Sequence, residues 1–178
     1  MQTNSNRKHH RKSIRLKDYD YSQPGAYFVT ICTQDKKCLF GEIMDGKMIL
    51  NEFGRIVEQE WQQSEHIRSE IRLDAFQVMP NHFHAIVYIL DRGVVGSTGR
   101  SPLHSVLADK KRPNGPRPKS LSSLMAGFQS AVTAKINMIR QTPGAKVWQR
   151  NYYDHIIRTE NELYRIREYI VANPAKWA

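Results

Sequence analysis

Hydrophobic positions along this 178-residue chain recur with a period of two, then about 3.6, then two again, and these changes set out its elements. Residues 26–33, rich in β-branched and aromatic side chains, predict a first strand. Segments 39–44 and 47–50 flank Asp45-Gly46, a dipeptide suited to a type I′ hairpin turn, whose two central residues both take positive φ. From Asn51, a helix-capping residue, Phe53, Ile56, Val57 and Trp61 recur at helical spacing to about His66. Segments 73–78 and 82–90 are nearly continuous apolar runs of strand length, as covered strands are, and Met79-Pro80-Asn81 bends the chain between them. Ser120 begins a helix to about Arg140, with Leu121, Leu124, Phe128, Ala131 and Lys135 along one stripe and Pro143-Gly144 after it. Residues 147–157 predict a strand with an irregular start. Residues 160–173 predict a last helix with Leu163, Ile166 and Ile170 as its buried stripe. Setting the hairpin aside, the order is βαββαβ plus a terminal helix. That order predicts an α+β fold: a ferredoxin-like or RRM-like antiparallel sheet, helices on one face, and a C-terminal helix carrying Tyr169.

Charge changes this picture more than composition does. Apolar content of 40% suits one globular domain, but 27 Lys and Arg stand against 17 Asp and Glu, a net charge of +10. Such an excess points to a polyanionic partner, most simply nucleic acid. It concentrates in an N-terminal arm, residues 1–25, with Arg7, Lys8, Arg11, Lys12 and Arg15, and in a Gly- and Pro-rich loop at about 91–119 with Lys110, Lys111 and Arg112. Either segment reads as a solvated tail or loop, or as a set of phosphate contacts that give affinity without sequence information. The domain proper is 26–178. No apolar run reaches the roughly 18 residues of a membrane span, and the N-terminus is polar and basic, so a cytoplasmic location without membrane contact is expected. Cys32 and Cys38 form no Cys-x-x-Cys pair, which weakens zinc-ribbon and redox readings.

The candidate chemistry starts at His82-Phe83-His84. Side chains two apart on a strand share a face, so both imidazoles point one way and Phe83 the other, a beginning for a divalent-metal site. On the last helix Tyr169 and Asn173, four apart, project from nearly one face along the edge of the apolar stripe. Each piece has a plainer reading: Tyr169 as amphipathic packing, Asn173 as a helix-ending residue before Pro174, His155 as a structural residue. Tyr152, Tyr153 and Tyr164 can also offer a hydroxyl.

The run from Met79 to Val87, containing His82-Phe83-His84, resembles the His-hydrophobic-His motif of the HUH superfamily of single-strand DNA nucleases. Glu168-Tyr169-Ile170-Val171-Ala172-Asn173-Pro174 resembles the helix of its single-tyrosine transposases. With the Trp148-Gln149-Arg150-Asn151 segment, the ending is most similar to transposases associated with repetitive extragenic palindromes. The resemblance implies Tyr169 as nucleophile and His82, His84 and Asn173 as ligands of Mg²⁺ or Mn²⁺. It implies cleavage and rejoining of single-stranded DNA hairpins through a 5′-phosphotyrosine, by a monomer or homodimer. Arg150 joins the basic residues expected to touch DNA. Two other readings stay open: a non-catalytic nucleic-acid-binding module on an RRM-like sheet, and a replication-initiator-type nickase, although Ala172 stands where many initiators carry lysine. A structural zinc protein lacks its cysteine pair.

Overall fold

The computed structural model describes residues 19–91 and 116–177. Its elements are β1 (Gly25–Cys32), β2 (Gly41–Met44), β3 (Lys47–Leu50), α1 (Glu52–Ile67), β4 (Ile71–Met79), β5 (His82–Ile89), α2 (Leu121–Arg140), β6 (Tyr153–Ile157) and α3 (Glu160–Ala172). Strands β4, β5, β1 and β6, in that order, form one antiparallel sheet, and β2–β3 form a separate hairpin. The expected α+β architecture is therefore the observed one.

The local signals act as their chemistry dictates. Asp45 and Gly46 both take positive φ at the hairpin turn. The Asn51 side chain accepts the Gly54 N–H at the start of α1, and Ser120 and Ser123 cap α2 reciprocally. Pro80-Asn81 joins β4 to β5 and is tied down from outside, because the Asn81 carbonyl accepts both the amide and the hydroxyl of Thr33.

The sheet divides the apolar side chains into two cores. Phe83, Ala85, Val87 and Ile89 of β5 join Tyr27, Val29 and Ile31 of β1 in the larger core against α1 and α2. There Phe83 meets Trp61 and Phe128 at ring-centroid distances of 5.1–5.3 Å. The smaller core, on the other face, holds Phe28, Ile86, Ile157 and Ile170, with Leu163 and Ile166 beside it. Helix α3 thus covers the face opposite α1 and α2, and its predicted stripe is the one that packs.

Three expectations change. On α2 the buried apolar positions after Phe128 are Val132 and Ile136, each four residues on, while Ala131 lies at the margin. Lys135 is exposed and pairs with Glu60 of α1. The strand expected over 147–157 is broken: Thr33 pairs Trp148 and Thr30 pairs Tyr153, so β1 advances three residues while the other chain advances five. Residues 150–152 loop out of the ladder as a result. At the amino end, Tyr19 and Tyr21, inside the segment read as an arm, pack on the larger core.

Strand β4 carries a bulge. Leu73 faces Val87 and Phe76 faces Ala85, three residues against two. The extra residue leaves both Leu73 and Phe76 on the larger core and turns Asp74 and Ala75 toward α3.

Candidate functional site

His82 and His84 share the α3 face of β5, and their rings lie 4.5 Å apart. Each is held through Nδ1. The Asn81 amide donates to the Lys36 carbonyl, which orients its Oδ1 toward His82 Nδ1 at 2.7 Å. That oxygen only accepts, so His82 Nδ1 donates and its Nε2 keeps a lone pair. On His84, Nδ1 lies 2.7 Å from Thr30 Oγ1, the residue directly across on β1. Its Nε2 lies 3.4 Å from the Tyr169 hydroxyl.

Helix α3 delivers Tyr169 to this point because Ile170, fully buried, anchors the turn beside it on Phe28 and Ile86. The Tyr169 ring stands edge-on to Phe28 at 6.2 Å and to His84 at 5.2 Å, yet the residue is 45% exposed. Its ring is gripped on one side while the residue keeps a solvent-open side. Asn173, one turn on, ends α3 and hydrogen-bonds His82 through its side chain. Trp177, beyond the short 3-10 turn Pro174–Lys176, lies over the His82 ring at 5.7 Å.

Burial sets the electrostatics. His84 is 4% exposed, and desolvation, then the neighbouring His82, push its pKa down to about 3. Desolvation lowers His82 as well, partly offset by its bond to Asn173. Both imidazoles are therefore neutral near pH 7, the form that binds metal. An outer partner on each Nδ1 is also how ligating histidines are oriented. Among the described residues no three His, Cys, Asp or Glu side chains cluster as a metal cage, and the polar side chain bonded to His82 from α3 is the Asn173 amide.

The structure thus brings together His82, His84, Tyr169 and Asn173. It does not bring Arg150 to them: that exposed residue lies with Lys146 and Trp148 along a groove of about 820 Å³ beside the C-terminal half of α2. Arg7, Lys8, Arg11, Lys12, Arg15, Lys110, Lys111 and Arg112 lie outside the described residues. Among the hydroxyls considered beside Tyr169, Tyr153 lines a recess together with Tyr169, and Tyr164 packs against Arg167. His155 pairs with Glu162 at 2.7 Å, as a structural histidine does. Thr30, Asn81 and Trp177 were not among the expected site residues. The signal for Thr30 was a lone polar position within an apolar strand.

No protein-family model matches the chain. It is 39% identical over 169 residues to an uncharacterized protein of Haemophilus influenzae, an alignment spanning 95% of this chain and 91% of that one. The chain belongs to that protein's family. A REP-associated tyrosine transposase, solved bound to a REP hairpin, matches this chain with a TM-score of 0.58 and 17% identity. The match covers 91% of this chain and 73% of the transposase, and it shows a shared fold. A Deinococcus radiodurans R1 protein provisionally called a transposase gives a TM-score of 0.39 at 14% identity, covering 88% and 95% of the two chains, too low to carry an argument. No helix among the described residues of this chain is long and apolar enough to cross a membrane.

Proposed function

We propose that this protein is a metal-dependent, single-strand DNA transposase that cleaves and rejoins strands at hairpin sites through Tyr169. The observation that carries the reading is the Tyr169 hydroxyl at 3.4 Å from His84 Nε2, with His82 alongside and Asn173 bonded to it. The fold shared with a transposase bound to a REP hairpin supports it.

His82, His84 and Asn173 would hold the cation. Two imidazoles and an amide oxygen suit Mn²⁺, with Mg²⁺ as the harder alternative. When bound, the cation supplies charge neutralisation for a phosphodiester and orients it. The remaining work belongs to the chain. Burial keeps both imidazoles neutral, and Phe28 and Ile170 fix the angle of the phenol. Tyr169 loses its proton to water on its exposed side. Its oxygen forms a bond to phosphorus as the bond to the 3′ oxygen breaks, leaving a 5′-phosphotyrosine and a 3′-hydroxyl once that oxygen is protonated. Attack by another 3′-hydroxyl reverses the step and rejoins strands.

A non-catalytic module reading RNA on an RRM-like sheet needs that sheet face open. Here α3 covers it, with Ile170 buried on Phe28 and Ile86. The deciding experiment incubates the protein with a labelled hairpin oligonucleotide and Mn²⁺. A covalent adduct should form and should be absent for Tyr169→Phe; an adduct of full yield in that variant overturns the assignment.

A further inference from the structure

A recess of about 370 Å³ opens beside Tyr169 on the side away from His82, between β6 and the first turns of α3. Its size falls within the range of roughly 300–1,000 Å³ typical of small-ligand pockets. Phe28, Tyr153, His155, Glu162, Arg165 and Tyr169 line it. Tyr153 is 44% exposed, a large ring left open where the strand aromatics Tyr27, Phe28 and Phe83 are buried, and it stands edge-on to Phe28 at 6.2 Å.

The lining selects what can enter. Glu162 accepts from His155 Nε2 at 2.7 Å and from the Arg158 amide at 2.9 Å, and it puts a negative charge in one wall. A phosphate is repelled there, whereas a flat uncharged ring is not. The opposite wall is aromatic, and Arg165 adds a cation that can meet a backbone phosphate or stack on a base. The recess adjoins Tyr169, so one of the two nucleosides flanking a phosphate at the Tyr169 oxygen can reach it.

Resting on the reading of Tyr169 as the attacking group, we propose that the recess seats the unpaired nucleobase next to the scissile phosphate, stacked on Tyr153. Tyr153 is then a positioning residue. Stacking tolerates any base and needs a strand that is not paired at that position, so the seat admits single-stranded and excludes duplex flanks.

The test walks a single abasic site along the unpaired flank of a hairpin oligonucleotide and measures binding to the Tyr169→Phe protein, which leaves the strand intact. At one position removal of the base should weaken binding about ten-fold. Adding Tyr153→Ala should weaken binding of the intact oligonucleotide by a similar factor and erase the effect of that abasic site; Tyr153→Phe should do neither. Tyr164→Ala, on an exposed ring outside the recess, should leave binding unchanged. The seat is overturned if no abasic position matters, if Tyr153→Ala leaves the abasic penalty intact, or if Tyr153→Phe or Tyr164→Ala costs as much as Tyr153→Ala. Adduct formation by the unmodified protein on the same oligonucleotide separates the two ideas. An adduct without the Tyr153 dependence removes the seat alone, and no adduct removes the phosphotyrosine chemistry, while the binding series still decides the seat.

Discussion

Tyr169 packs with its ring and reacts, in the proposed chemistry, with its oxygen, so one substitution should separate the two. Tyr169→Phe keeps the contacts to Phe28 and His84 and loses a single 3.4 Å approach. Its unfolding free energy should stay within about 0.5 kcal/mol of the parent by chemical denaturation while the adduct disappears. Thr30 makes the complementary case, because its hydroxyl holds His84 Nδ1 and so aims Nε2. Thr30→Val keeps shape and should lower Mn²⁺ affinity by about 10- to 100-fold in a calorimetric titration. Unchanged affinity would mean that Thr30 does not orient a ligand. The histidine pair was legible because a period of two puts His82 and His84 on one face whatever else the chain does. Thr30 was not, since its partner depends on the β1–β5 register, which no local pattern states.

Between elements, the attachment of α3 decides whether Tyr169 reaches the histidines. Arg167 grips Asp74 with two nitrogens, Nε at 3.0 Å, tying α3 to β4. Burial pushes the Asp74 carboxyl up, but the Arg167 hydrogen bond, the Ala75 amide and the Arg167 charge outweigh it, and its pKa falls below the usual carboxylate value. A lowered carboxylate pKa adds stability above the unfolded value of about 3.9 and loses it as pH falls through the folded value. Asp74→Asn should cost about 1 kcal/mol at pH 7, less than a fully buried pair because Arg167 is 35% exposed. That gap should shrink as pH drops below about 4. A gap constant to pH 2 would show that the carboxylate charge is not what holds the helix. The caps, the hairpin and the α3 stripe were legible in the sequence, being local. The break before β6 was not: Val147 and Trp148 read as strand, and only pairing with β1 shows residues 150–152 leaving the ladder.

For the molecule as a whole, the sheet works as a partition. Its α1–α2 side is apolar and closed, and its α3 side carries every polar group of the candidate site. Which side α3 would cover was not stated by its own stripe, since Leu163, Ile166 and Ile170 fit either apolar surface; the choice follows from α1 and α2 already filling one side. The net charge of +10 acts on a longer scale. Binding of a hairpin oligonucleotide should weaken steeply with salt, about 10³-fold between 50 and 200 mM for some six phosphate contacts. A salt-independent affinity would mean that the basic excess faces something other than the phosphate backbone.

The extra residue in β4 has a consequence for the lineage of this fold. Downstream of it, Gln77 lies across from His84, and Phe76 and Val78 sit inward. Deleting Asp74 or Ala75 would straighten the strand and keep Leu73 opposite Val87 and Phe76 opposite Ala85, both still inward, but it would leave one residue where two now turn toward α3. Surface loops can lengthen or shorten at small cost; here one codon lost would spare the inward side chains and take away either the carboxylate that Arg167 holds or the methyl group beside the smaller core.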